Sequence, residues 1–392
     1  MLVHISNLIS SKVLFSVSGV IFWWLAARYY SVEQVGTASA LISACSLILY
    51  LAYLPLAPLA RFLPGHRNQK AYLFSSLIFS VLCLLAGLGV SVFFLRNIGA
   101  DYGLFVCVTL FMFLFQNLEY VFISLKNSRV VLIKNLLQNY GRLVFVPLFV
   151  SLGGAGLFCA NGAASAVVSF YLCFMLLRLF RELRGSVGFK YSLVKQTLSF
   201  AGATFIGSLA LTLPGMIFPV MVVSFFSKAE AGYFYLPWMI FSVFASCIQI
   251  VCSQFLVESS HADDINIHKK KTVVLLVSLA AVGVAGALSA GKVVLGIFHA
   301  EYADNSGSML NILFYSVPFF ALNQFYLSMC SFYKQVYVLS WFNMIRLLLL
   351  IFSAVIFVPF FASFGVTYAW LLSNVLCACY VLLRFTYLKH NV

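Results

Sequence analysis

Twelve predominantly apolar stretches follow one another along this chain, each near the length of about twenty residues that crosses a hydrocarbon core. Only 9% of the residues are charged, whereas a soluble domain carries about 25%. Helices satisfy their own backbone hydrogen bonds within a bilayer, so the pattern predicts an all-α polytopic membrane protein. The predicted spans lie near residues 8–28, 36–58, 71–95, 102–124, 130–151, 154–177, 198–223, 232–257, 272–291, 308–331, 336–359 and 363–385.

The basic residues set the expected orientation, because Lys and Arg are retained on the cytoplasmic side of a membrane. With both termini placed inside, most of the 24 Lys and Arg residues fall on the cytoplasmic side. The exceptions are the outer residues Arg28, Arg96, Lys228 and Lys292, and two residues within spans, Arg142 and Arg346. The net charge of +14 therefore predicts contact with anionic lipids, and nucleic acid is not needed to explain it.

The chain also repeats itself. A shift of 196 residues, half the length of 392, aligns Gly19–Gly36 with Gly215–Gly232 without a gap. The identical positions of the first copy are Gly19, Ile21, Phe22, Ser31 and Gly36. Because each copy opens one half of the chain, we expect two six-helix lobes around a central cleft. The predicted lobes are residues 1–185 and 186–392, with the basic connector 178–195 between them.

No catalytic or metal-binding motif is present in the sequence. All 10 cysteines lie within apolar stretches, where cysteine behaves as a small hydrophobic residue. Cys377 and Cys379 lack the spacing and partner histidines of a zinc site. The sequence contains no P-loop, no HExxH and no Ser-His-Asp candidates. We therefore expect a protein that is not an enzyme and that uses neither a cofactor nor a metal.

Two arginines within spans are the leading candidates for binding chemistry, since a charge at the centre of a span costs about 2.5–3.5 kcal/mol on insertion scales. Arg346 lies twelve residues beyond Lys334, roughly 18 Å into its span, and Arg142 lies eight beyond Lys134, roughly 12 Å deep. They occupy equivalent spans of the two halves, and a pair of guanidinium groups suits phosphate oxygens. The alternative for each arginine is snorkelling or helix packing.

Glu119 is the only acidic residue well inside a predicted span. It is either the protonatable group of an ion-coupled carrier, with a proton or sodium as the coupling ion, or a structural partner of Lys12, Arg142 or another helix. Lys12 and Arg61 lie near the inner ends of the first two spans. Membrane anchoring and substrate contact are both open for these two residues.

The stretch 28–64 resembles the Wzx-like (PST) polysaccharide flippases of the multidrug/oligosaccharidyl-lipid/polysaccharide exporter superfamily. In that family an L-A-R-x-L-x-x-x-x-x-G turn closes the first span, and an A-x-x-R-F-L-like stretch closes the second. The matching residues are Leu25, Ala26, Ala27, Arg28 and Gly36 for the first pattern, and Ala60, Arg61, Phe62 and Leu63 for the second. Twelve spans, two lobes and cytoplasmic termini extend the resemblance over the whole chain, which is somewhat short for the family.

The resemblance implies a flippase of O-antigen or lipopolysaccharide biosynthesis, which moves an undecaprenyl-diphosphate-linked oligosaccharide from the inner to the outer leaflet of a bacterial inner membrane by alternating access. The expected substrate-binding residues are Arg346, Arg142, Arg61, Lys12 and Arg28. Drug-exporting relatives commonly carry acids for ion coupling, and the first and seventh spans here have none. Two alternatives remain: a cation-coupled drug exporter of the same fold that depends on Glu119, and a membrane O-antigen polymerase or glycosyltransferase, which would need a larger outer loop.

Overall fold

The computed structural model describes residues 17–56, 58–63, 66–259 and 265–390, and nearly all of them are helical. In the part of the chain that is described, eight helical segments are long and apolar enough to cross a membrane. This confirms the expected all-α polytopic membrane protein. The helices are α1 (17–29), α2 (Val32–Ala52), α3 (Leu59–Phe62), α4 (Gln69–Ile98), α5 (Tyr102–Ser124), α6 (Ser128–Leu148), α7 (Gly154–Glu182), α8 (Tyr191–Phe225), α9 (Lys228–Ser259), α10 (Ile265–Phe298), α11 (Ala300–Tyr315), α12 (Val317–Phe332) and α13 (Val336–His390).

Helix α2 begins four residues before the predicted span because its first turn is capped. The Ser31 hydroxyl accepts a hydrogen bond from the Gln34 amide at 3.3 Å, and the Gln34 side chain accepts one from the Ser31 amide at 3.1 Å. This reciprocal capping box satisfies two amides that have no partner inside the helix. The helix ends at Ala52, short of Pro55, whose ring cannot continue it.

The predicted span 308–331 consists of two helices. Helix α11 ends at Tyr315 and α12 begins at Val317, with a proline in the first turn of α12. Proline has no amide to donate to the carbonyl group four residues earlier, here that of Phe314, and its ring clashes with that carbonyl, whereas in the first turn of a helix the missing amide costs nothing. The interruption therefore follows from Pro318.

Equivalent residues of the internal repeat have the same structural role in the two halves. Ser227 caps α9 as Ser31 caps α2, with its hydroxyl 3.1 Å from the Glu230 amide. The glycines of the repeat also meet each other. A Cβ atom at Gly36 would lie 1.7 Å from the Lys228 carbonyl oxygen, and one at Gly232 would lie 2.3 Å from the Val32 carbonyl oxygen.

These two contacts are reciprocal, because Val32 and Lys228 are themselves related by the 196-residue shift. Helices α2 and α9 thus cross so closely at their first turns that neither glycine leaves room for a side chain. Small residues allow close helix packing inside membranes, where water does not drive association. We call this contact of Gly36 and Gly232 the glycine crossing.

Two turns of the first half return in the second with the same backbone geometry. Lys126 between α5 and α6 has a φ of 58°, and Lys334 between α12 and α13 has a φ of 56°. In the first half the amide of Asn127 donates a hydrogen bond to the Phe122 carbonyl oxygen at 2.9 Å. In the second half the amide of Gln335 donates one to the Cys330 carbonyl oxygen at 2.8 Å. This is the wide hydrogen bond of a Schellman cap.

The second pair of turns is also matched. Gly153, before α7, has φ 58° and ψ −142°, while Ala362, inside α13, has φ 50° and ψ −130°. Ala362 is the point at which α13 changes from the eleventh to the twelfth predicted span. Glycine adopts this conformation freely, whereas alanine is strained in it. The backbone is therefore strained at Ala362 and unstrained at Gly153.

The chain divides into two units, Met1–Phe205 with Gly215–Gly232 and Ile206–Pro214 with Tyr233–Val392. In the first unit α2 packs against α4 and α7, and α5 and α6 pack against α7. In the second unit α10 packs against α11 and α12, and both of these pack against α13. The predicted lobe boundary between residues 185 and 186 stays a prediction.

Candidate functional site

Each unit contains a cluster of buried polar residues among its apolar helices. The first polar cluster, on α6 and α7, consists of Asn139, Arg142 and Asn161. The second polar cluster, on α12 and α13, consists of Asn323, Asn343, Arg346 and Asn374. Every member is at most 8% exposed. Buried polar side chains inside membrane helices are expensive, which makes the two clusters the leading candidates for function.

A short pattern in the sequence could have indicated these clusters. Asn139-Tyr-Gly-Arg142 and Asn343-Met-Ile-Arg346 both read N-x-x-R. Residues three apart lie on neighbouring positions of one helix face, so each asparagine accompanies its arginine. The prediction named the arginines and missed the asparagines, because an uncharged amide does not stand out in a search for charge.

Arg142 is held by polar and aromatic neighbours from α1 and α7. Its Nη1 donates to Asn161 Oδ1 at 3.2 Å, and its Nη2 donates to Ser18 Oγ at 3.4 Å. The guanidinium carbon lies 4.8 Å from the centre of the Phe22 ring. Gly19 is adjacent, since a Cβ atom at this position would lie 3.9 Å from Arg142 Nη2. The repeated stretch that begins at Gly19 therefore supplies part of the surroundings of Arg142.

Arg346 is more deeply buried and has a different environment. Its side chain is 1% exposed, and its Nη1 and Nη2 atoms have no hydrogen-bond partner among the residues that the structure describes. The guanidinium carbon lies 5.3 Å from the centre of the Phe320 ring and 5.4 Å from that of Trp370. Aromatic faces attract a cation, yet they leave its N–H groups without acceptors. Arg346 thus retains two donor groups without an acceptor among the described residues, in a buried environment.

Hydrogen bonds to the backbone hold two other members of the second polar cluster, Asn323 and Asn374, in place. Asn323 Nδ2 donates to the carbonyl oxygen of Asn374 at 3.0 Å, and Asn374 Nδ2 donates to that of Trp370 at 2.8 Å. The Trp370 indole N–H donates to Ser316 Oγ at 2.9 Å. One wall of the arginine's environment is therefore anchored at the break between α11 and α12.

The two arginines lie at different distances along their helices. Arg142 is fourteen residues beyond the first residue of α6, a rise of roughly 21 Å, and Arg346 is ten beyond the first residue of α13, roughly 15 Å. The predicted depth of Arg142 was measured from Lys134, on the expectation that Lys134 lies at the inner membrane boundary. Lys134 is 1% exposed and lies inside the packed helices, and the depth of Arg142 in the membrane stays a prediction.

Glu119 pairs with Lys134 on the neighbouring helix. The Lys134 ammonium lies 2.8 Å from Glu119 Oε2 and 2.9 Å from Asn135 Oδ1, and 3.4 Å from the centre of the Phe115 ring. The lysine side chain is fully buried, while that of Glu119 is 22% exposed. The sequence left open a partner on another helix, and Lys134 is that partner. An ion-coupling role for Glu119 stays a prediction.

Of the other predicted substrate-binding residues, the structure describes the side chain of Arg28. Arg28 is exposed at the end of α1, where its guanidinium carbon lies 5.5 Å from the centre of the Trp24 ring. Arg61 lies on the short helix α3, and Lys12 lies outside the described residues. Substrate contact by these three residues stays a prediction. Within the described ranges, no group of three His, Cys, Asp or Glu side chains could hold a metal ion.

The sequence matches no protein-family model and no curated protein sequence. The structure is similar to that of the lipid II flippase MurJ in an inward closed conformation, with a TM-score of 0.76 and 14% identity over 98% of this chain and 88% of that one. It is also similar to an inward-facing multidrug resistance MATE family transporter of the MOP superfamily, with a TM-score of 0.73 and 14% identity over 96% of this chain and 95% of that one.

A third similar structure is that of the MATE multidrug transporter DinF-BH, with a TM-score of 0.62 and 15% identity over 96% of this chain and 92% of that one. Identities this low show a shared fold and leave the substrate open. The chain therefore has the fold of these flippase and multidrug-transporter structures.

Proposed function

We propose that this protein moves an oligosaccharide repeat unit, joined to an undecaprenyl lipid through a diphosphate, from the inner to the outer leaflet of a bacterial inner membrane. The observation that carries the proposal is the buried Arg346, whose Nη1 and Nη2 have no partner in the described part of the chain. A diphosphate offers oxygen acceptors to both groups at once, which matches the planar fork of arginine. In a dry environment such a charge-assisted contact is much stronger than in water.

Arg142 supplies the matching cation of the first unit. Ser18 and Asn161 fix the direction of its guanidinium, so that it is preorganised before any ligand binds. Arg61, Lys12 and Arg28 are proposed to contact the substrate nearer the membrane surfaces. Support for transport, as opposed to catalysis, comes from the similar structures, which are a flippase and multidrug transporters. The Wzx-like resemblance supports an oligosaccharide as the cargo.

A cation-coupled exporter of small molecules is the second candidate, because multidrug transporters share the fold over 96% of this chain. Such an exporter would depend on Glu119, the acid within the spans. The ion pair with Lys134 argues against this role, since a carboxylate already neutralised by a lysine attracts an organic cation weakly. Loss of dye efflux in a Glu119→Gln variant that still inserts stably would favour the exporter over the flippase.

The proposal is tested in cells whose surface polysaccharide depends on this protein. Arg346→Ala is expected to leave the surface deficient while lipid-linked units accumulate on the inner leaflet. Arg346→Lys keeps the charge but loses the fork, so an intermediate phenotype is expected. Arg96→Ala is the matched control, because Arg96 is exposed in the last turn of α4. Normal surface polysaccharide in an Arg346→Ala protein that inserts stably would overturn the proposal.

A further inference from the structure

A long apolar cavity of about 610 Å³ lies within the first unit, where α2, α4 and the last turns of α8 form its three walls. We call it the apolar slot. Its α2 wall consists of Ala44, Leu47, Ile48 and Leu51, its α4 wall of Cys83, Ala86, Gly87, Val90, Ser91 and Phe94, and its α8 wall of Met216, Ile217, Val220, Met221, Ser224 and Phe225. No lining residue carries a charge.

The shape of the apolar slot follows from the residue sizes. Ala44, Ala86 and Gly87 are small and leave the space open. A Cβ atom at Gly87 would lie 2.8 Å from the Ile48 side chain, so a larger residue at this position would require Ile48 to shift. Met216 and Met221 line the opposite wall, and the flexible thioether adapts to irregular partners.

The length of the slot suits one hydrocarbon chain in one leaflet. From Cys83 to Phe94 the α4 wall rises roughly 16 Å, close to half of the hydrocarbon core of about 30 Å. The walls belong to helices that are long or apolar enough to lie in the membrane, so hydrocarbon is the medium outside the slot. A polyprenyl phosphate has one tail, whereas a phospholipid has two tails joined at one headgroup.

We propose that the apolar slot binds the polyprenyl tail of the transported lipid, an inference that rests on the proposed function. The α8 wall is part of Gly215–Gly232, which comprises the end of α8, the turn after it and the start of α9. This segment belongs to the first unit, although the residues directly before and after it belong to the second. A tail in the slot contacts this connecting segment directly. Tail binding is thereby linked to the part of the chain that joins the two units.

The test is photolabelling of the purified full-length protein in lipid nanodiscs. The probe is a polyprenyl phosphate with a diazirine on its tail, and a phosphatidylcholine with a diazirine on one acyl chain is the comparison. The polyprenyl probe is expected to label peptides that contain 83–94 and 216–225. In Ala86→Phe, which fills the slot, this labelling is expected to fall about tenfold, equivalent to about 1.4 kcal/mol.

Gly89→Phe is the matched control, because Gly89 lies on the same helix with nothing within 4 Å of its Cβ position. Its labelling is expected to equal that of the unmodified protein.

Competition provides a measurement that needs no variant: unlabelled polyprenyl phosphate should displace the probe, and unlabelled phosphatidylglycerol should not. Equal labelling by both lipid probes, or displacement by phosphatidylglycerol, would overturn the inference. If the slot is not labelled but Arg346→Ala has the expected phenotype, the inference about the tail is overturned and the proposed function stands. If the slot is labelled but Arg346→Ala has no effect, the proposed function is overturned.

Discussion

The glycine crossing makes a prediction that can be tested without knowledge of the substrate. In a Gly36→Ala variant the new methyl group would lie 1.7 Å from the Lys228 carbonyl oxygen, about half of an ordinary contact distance. Backbone atoms cannot rotate away as a side chain does, so α2 and α9 must separate by roughly 1.5 Å. Overpacking of this kind costs about 1–3 kcal/mol. Alanine recovers about 0.5–1 kcal/mol through its higher helix propensity, so a net loss of about 1–2 kcal/mol is expected.

The measurement is the free energy of unfolding in mixed detergent micelles. Gly89→Ala is the control, because nothing lies within 4 Å of its Cβ position and it should be neutral or slightly stabilising. Gly232→Ala should resemble Gly36→Ala, since a Cβ atom there would lie 2.3 Å from the Val32 carbonyl oxygen. The double variant should lose less than the two single losses together, because one substitution already separates the helices.

Two results would refute this reasoning. Equal stability of Gly36→Ala and Gly89→Ala would show that the two helices do not touch at Gly36. Fully additive losses at Gly36 and Gly232 would show that the glycines act at separate places, and not at one crossing.

Glycine and alanine should have opposite effects when they are exchanged at the two matched turns, because Gly153 and Ala362 both have positive φ. Ala362→Gly should raise the free energy of unfolding by about 1 kcal/mol, and Gly153→Ala should lower it by a similar amount. A destabilised Ala362→Gly protein in the same unfolding assay would contradict this. For the buried ion pair, Glu119→Gln should cost about 3–5 kcal/mol because it leaves the Lys134 ammonium buried without its partner. The double variant Glu119→Gln/Lys134→Met should recover part of that loss, and failure to recover any would show that the pair does not act as a unit.

The all-α membrane class could be predicted from the sequence because span length and hydropathy are local properties. The repeat of Gly19–Gly36 also indicated the right features, since Ser31 and Ser227 cap equivalent helices. The start of α2 could have been predicted more closely from the Ser31–Gln34 capping box. Hydropathy takes no account of helix caps, and so the predicted start of the second span lies four residues after the first residue of α2.

The contacts between helices could not be predicted in the same way. Lys134 reads as a residue of the cytoplasmic face, yet it is fully buried because Glu119 on α5 neutralises it. The aromatic neighbours of Arg346, Phe320 and Trp370, come from segments far apart in sequence. A sequence pattern gives the face on which a residue lies, but the rotation of one helix against another depends on packing along its whole length.

The measurement that tests the proposed function most directly is transfer of a fluorescent polyprenyl-diphosphate oligosaccharide between leaflets of liposomes that contain the purified protein. A membrane-impermeant reductant quenches only the outer leaflet, so transfer is read as newly accessible fluorescence. We expect transfer by the unmodified protein, loss of transfer in Arg346→Ala, and normal transfer in Arg96→Ala. Transfer at an unchanged rate in a folded Arg346→Ala protein would contradict the role proposed for the buried arginine.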